Sequence, residues 1–177
     1  NRRSFLKQTA LTAGALSAAS FLPGCKHVST KRSSEKLNCV QIGCGGRGMS
    51  HLSASVDENL VAIVDVDEKR HAAVKTWLKE KKKDTEKLQV FTDYRKMFDQ
   101  IGQQIDAVFI ATPNHQHALA AMIALQLDKN VYCEKPVCHD IAEARQLRAM
   151  AAKTKVATQM GNQGHCEEGY RKLCEYL

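Results

Sequence analysis

Gly43, Gly45 and Gly48 in "VQIGCGGRGMSH" (residues 40–51) stand at G-x-G-x-x-G spacing, and Asp65 follows Gly43 by 22 residues. In a strand–turn–helix, the first glycine permits a tight turn. The second lets the main chain approach a pyrophosphate, and the third lets helix and strand pack closely. A helix that begins there turns unpaired N–H groups toward phosphate. An acid at Asp65 would accept hydrogen bonds from the adenosine ribose hydroxyls, which favours NAD over NADP. Arg70, further along, is the cation that a 2′-phosphate would recruit.

Two more stretches carry side chains with possible chemistry: "ATPNHQH" (111–117) and "CEKP" (133–136). Lys135, between Glu134 and Pro136, reads either as a surface charge or as a partly desolvated amine. An amine of the second kind shifts its protonation readily and can relay a proton from a hydroxyl undergoing oxidation. His115 and His117 open a helix and read either as capping and packing residues or as bases.

Positioning these groups requires strands that end where the motifs begin. Apolar runs at 37–43, 60–67, 89–92, 105–112, 130–134 and 156–161 read as six buried strands. Between them lie helical patterns at 47–56, 67–83, 93–101, 115–129 and 140–154, with Asp140 as an N-cap. Strands alternating with helices imply right-handed βαβ units, and so an α/β fold with a doubly wound, mostly parallel sheet. In such sheets ligands bind beyond the carboxyl ends of the strands, where all three motifs fall.

The chain has 177 residues, 44% hydrophobic and 25% charged, the composition of a globular domain. Its formal charge of +7 does not indicate nucleic acid, because residues 1–36 hold seven Lys/Arg against Glu35 alone, leaving 19 basic and 18 acidic residues in the rest. "KEKKK" (79–83) reads as a solvated helix end. The leader "NRRSFLKQTALTAGALSAASFLPGC" pairs Arg2 and Arg3 ahead of a weakly apolar stretch, too short and polar for a membrane span. It resembles a twin-arginine (Tat) export signal. "FLPGC" resembles a lipobox, with Cys25 as a candidate lipidated residue and Pro23 as an unusual neighbour. The expectation is a periplasmic protein, soluble or lipid-anchored, with residues 26–36 as a tether. The seven cysteines include Cys39 and Cys133 in apolar strands and Cys44 in the glycine loop, and no pair has C-x-x-C spacing. No metal site is expected.

Taken together, the glycine loop, Asp65, "ATPNHQH" and "EKP" resemble the glucose–fructose oxidoreductase / inositol dehydrogenase / rhizopine (Gfo/Idh/MocA) family over residues 37 to about 165. "VYCEKPVCHDIAEARQL" and "ATQMGNQGH" are similar to exported members. The resemblance implies a Rossmann domain at 37–160, with 161–177 opening a second, substrate-binding domain that this chain mostly lacks. It implies that the backbone of Gly45, Gly46 and Arg47 cradles the pyrophosphate, with Gly43 and Gly48 shaping the loop and Asp65 holding the ribose. Thr112, Pro113, Asn114 and His117 would line the nicotinamide half. Glu134 and Lys135 would meet the nicotinamide ribose and the reacting carbinol, with Lys135 the catalytic proton relay. Asn162 would touch the nicotinamide end and His165 would face substrate.

The function implied is an NAD-dependent oxidoreductase, NADP being the less favoured cofactor, that moves hydride at a sugar or cyclitol hydroxyl. Export away from the cytoplasmic NAD pool implies a tightly held, recycled cofactor. Transient oxidation of a glycoside followed by elimination, and a non-catalytic NAD-binding module, are the alternatives. The expected partners are a small carbohydrate substrate and, in the full-length protein, further copies of the same chain. The missing initial Met and the stop inside "EEGYRKLCEYL" lead us to expect a fragment of a longer protein, inactive by itself.

Overall fold

A computed structural model describes residues 35–177. The export and lipidation expectations, which fall on Arg2, Arg3 and Cys25, lie outside the described residues. The strands are β1 (Asn38–Ile42), β2 (Asn59–Val64), β3 (Gln89–Phe91), β4 (Ala107–Ile110), β5 (Asn130–Glu134) and β6 (Thr158–Gly161). The helices are α1 (Gly46–Ala54), α2 (Glu68–Glu80), α3 (Tyr94–Ile101), α4 (Asn114–Gln126), α5 (Ile141–Ala151) and α6 (Glu168–Tyr176).

All five strand pairs are parallel, in the order β3-β2-β1-β4-β5-β6. This is the doubly wound arrangement that the alternation of strands and helices predicts. Successive residues of a strand face opposite sides of the sheet, so β2 feeds two cores. Ala62 and Val64 join Met97, Phe98, Val108, Ile110 and the alanines of α4 on one face. Ile63 joins Leu52 of α1 and Val74 and Leu78 of α2 on the other. The small Ala118, Ala120, Ala121 and Ala124 are buried and let α4 lie close to the sheet.

Asp side chains start three of the helices. Asp67, Asp93 and Asp140 accept backbone N–H bonds at the N-termini of α2, α3 and α5, each satisfying a donor that the helix leaves free. Helix α2 ends at Glu80 rather than at Lys83. Lys82 takes φ +56°, and Lys83 N–H reaches back to Leu78 O at 2.9 Å, a Schellman closure made without glycine. Strand β2 ends at Val64 rather than at residue 67, because Asp65 turns its carboxylate to the glycine loop (Cys44 N–H, 2.7 Å) and Asp67 is taken up as a cap. Among the described residues no helix is long and apolar enough to cross a membrane.

Candidate active site

The strand order reverses between β1 and β4. After β1 the chain passes to one face of the sheet, and after β4 to the other. The crevice left between the two strand ends is where an open α/β sheet takes its ligand. A cavity of about 1010 Å³ opens there. It brings Gly43, Gly45, Gly46, Arg47 and Asp65 to one wall and Thr112, Pro113, Asn114, His117, Glu134 and Lys135 to the other.

The glycine loop is shaped by close approach. Gly43 has φ +83°, and a Cβ there would lie 2.5 Å from Ala111 O. A Cβ on Gly48 would lie 2.0 Å from Gly43 O, so α1 can begin this close to β1 only without a side chain. Gly48 therefore acts from behind the loop and does not line the cavity. Gln41, buried within β1, donates from its amide to Gly43 O at 2.8 Å and props the turn from below. Asp65 ties the loop to β2, accepting from Cys44 N–H through Oδ2 and from Asp67 N–H (3.0 Å) through Oδ1. Burial, reinforced by the Asp65 charge, pushes the Cys44 thiol up to about 12 against the hydrogen bond to Val64 O, so it is inert at neutral pH. Arg70 lies over Gly45, its guanidinium 3.5 Å from where a Cβ would be.

Glu134 closes β5 and is buried. Its Oε1 meets His51 Nε2 at 2.8 Å, the Gln163 amide, and Arg47 Nε at 3.5 Å, while Oε2 accepts from Lys135 N–H at 3.3 Å. Burial would raise the carboxyl's pKa. The hydrogen bonds from His51 and Gln163, with the His51 and Arg47 charges, outweigh it and hold Glu134 below its ordinary value. A Cβ on Gly161 would fall 2.8 Å from the same oxygen, so this glycine gives the carboxylate its room. His51 packs edge-on against Tyr132, with ring centroids 5.0 Å apart. Lys135 itself is exposed on the cavity wall.

His117 is buried, with Nδ1 2.6 Å from Pro136 O and Nε2 2.7 Å from Thr112 O. His115 is exposed on the cavity rim. Asn162 and His165 do not line the cavity; Asn162 O accepts His165 N–H at 3.2 Å, and His165 packs on Tyr170 at 4.5 Å.

Sequence reasoning passed over Gln41, His51, Gln163 and the rim formed by Asp93, Tyr94 and Arg95. Gln41 did carry a signal, as a polar residue inside an apolar strand. Asp93 is drawn down to about 2 by its hydrogen bonds with Arg95, and Tyr94 donates to Gln116 Oε1 at 2.9 Å.

The residues present fit a dinucleotide. Gly45 and Gly46 line the cavity with bare main chain, and a Cβ on Gly46 would project into open space. The first N–H groups of α1 lack intrahelical partners. On the facing wall of the same cavity, Thr112 Oγ1 is a buried polar atom without a protein partner. Residues 37–162 match the family described as "Oxidoreductase family, NAD-binding Rossmann fold".

The chain belongs to the Gfo/Idh/MocA oxidoreductase family.

Among curated relatives, inositol 2-dehydrogenase of Renibacterium salmoninarum is 33% identical over 142 residues, 77% of this chain and 40% of that protein. An uncharacterized oxidoreductase of Bacillus subtilis, YrbE, is 29% identical over 136 residues, 75% of this chain and 37% of that protein. Among solved structures, myo-inositol 2-dehydrogenase from Lactobacillus plantarum superposes with TM-score 0.69 at 26% identity, covering 80% of this chain and 40% of that one. The chain thus spans about 40% of the length of these family members.

Proposed function

We propose that the whole protein of which this chain forms the Rossmann part is an NAD-dependent oxidoreductase acting on a hydroxyl of a sugar or cyclitol. The observation that carries this reading is that Lys135 lines the same cavity as the glycine loop and Asp65, on the facing wall. A cofactor site and a candidate proton carrier share one crevice. The nicotinamide, when bound, supplies the hydride acceptor. The backbone of Gly45, Gly46 and Arg47 offers N–H groups to the pyrophosphate. Asp65 takes the ribose hydroxyls with the lone pairs that Cys44 and Asp67 leave free, which favours NAD. Thr112, Pro113 and Asn114 face the nicotinamide half, and Lys135 accepts the hydroxyl proton as hydride leaves the carbinol carbon. Asn162 and His165 act only once the remainder of the protein is in place.

We further propose export by the Tat route and a retained cofactor, a reading supported by "RRSFLK" at residues 2–7. The test uses full-length protein. NAD released on denaturation, identified by mass spectrometry at near one equivalent, supports a retained cofactor; its absence overturns retention. Lys135→Ala should abolish turnover while NAD stays bound, and unchanged turnover would remove the proton-relay role. Arg2 and Arg3 changed together to Lys should stop export, and continued export would remove the Tat assignment.

A further inference from the structure

Strand pairing between β4 and β5 ends at Ile110 and Cys133. Beyond that point the two chains separate, and they carry the two loops that form the far wall of the cavity: Thr112–Asn114 on one and Lys135–Pro136 on the other. Backbone ladder bonds no longer hold them together. One side chain spans the gap. His117, 1% exposed in the first turn of α4, places Nε2 2.7 Å from Thr112 O and Nδ1 2.6 Å from Pro136 O.

Both partners are carbonyl oxygens, which only accept. A ring nitrogen makes a hydrogen bond to either of them only if it carries a proton. Neutral imidazole has one N–H; the imidazolium has two. Whichever nitrogen carries the proton donates to its carbonyl, and the buried ring packs between the two loops.

We propose that His117 is a positioning residue, a buried clamp that joins the β4 and β5 loops and sets where Lys135 stands in the crevice. Its nitrogens are spent on main-chain carbonyls, so it acts through Lys135 and not by bonding the cofactor through its ring nitrogens. Pro136 directly follows Lys135, so fixing Pro136 O fixes the main chain that carries the lysine. The consequence for turnover rests on the proton-relay reading of Lys135, whereas the clamp itself does not.

Three measurements on the full-length protein test this. Nitrogen-15 NMR of the histidine rings should show a His117 N–H that exchanges with solvent more slowly than that of the exposed His115; equal exchange overturns the clamp whatever Lys135 does. His117→Leu, which removes both ring nitrogens, should lower kcat by about 100-fold, the size of loss that a misplaced reacting group can bring, while the NAD dissociation constant stays within about threefold, well under 1.4 kcal/mol. His117→Gln, whose amide offers two N–H donors, should restore most of that loss. Wild-type turnover in His117→Leu, or equal losses of turnover and NAD affinity, would overturn the positioning role. Should the leucine variant fail to fold, the glutamine variant and the nitrogen spectrum decide alone. A slowly exchanging His117 N–H together with normal turnover in Lys135→Ala would sink the relay and leave the clamp standing.

Discussion

His51 Nε2 lies 2.8 Å from Glu134 Oε1, with both side chains about 95% buried. The pair joins the helix that follows the glycine loop to the strand end that carries Lys135, so the cofactor wall and the chemical wall of the crevice share one hydrogen bond. Gln163 and Arg47 complete the shell around the same oxygen. A carboxylate buried this deeply is tolerable only while its donors remain.

Removing a donor should therefore cost more than the bond itself. His51→Leu leaves Glu134 buried with fewer partners and should destabilise the protein by about 3 kcal/mol, the lower end for breaking a buried pair. Denaturant unfolding measures this. A change under about 0.5 kcal/mol, the size expected of a surface substitution, would show that the pair carries no stability.

The acid limb of stability should depend on the same carboxyl. Its folded pKa is lowered below the ordinary 4.5. It therefore adds stability above the unfolded value, and this is lost as pH falls through the folded one. Asp93, drawn down to about 2 by Arg95, titrates in the same direction. Glu134→Gln should flatten the melting-temperature profile on the acid side of about pH 4.5, and an unchanged acid limb would assign that limb to Asp93 and the other surface carboxylates.

The glycines should separate by role. Gly48→Ala places a methyl 2.0 Å from Gly43 O, against backbone that must move, and should destabilise the fold by about 2 kcal/mol. Gly45→Ala meets only Arg70 at 3.5 Å, an ordinary contact. It should leave the melting temperature near wild type and weaken NAD binding by about tenfold, or 1.4 kcal/mol. Calorimetry on both variants checks this. Equal NAD affinity in Gly45→Ala would place the pyrophosphate elsewhere.

Thiol chemistry should report on the closed loop. Cys44 and Cys133 are buried and pushed up to about 12, in each case chiefly by burial. Native protein treated with iodoacetamide should leave both unmodified, and denatured protein should label both, as read by peptide mass spectrometry. Native labelling of Cys44 would mean that the glycine loop opens away from Val64 and Asp65.

By itself the sequence determined the doubly wound sheet, the glycine loop and the acid that follows it. These are legible because their causes are local: apolar runs mark strands, helical periodicity marks helices, and a turn's glycines and a strand's closing acid sit within one βαβ unit. Asp140 as a cap was legible for the same reason. Tertiary structure alone decided what Glu134, His51 and His117 do. Glu134 and His51 stand 83 positions apart, and His117 and Pro136 stand 19 apart across two loops. Their partners are set by how α1 and α4 pack on opposite faces of the sheet. Hydrogen bonds depend on distance and angle between atoms that packing brings together, and no periodicity or spacing along the chain encodes which carbonyl a buried ring will face.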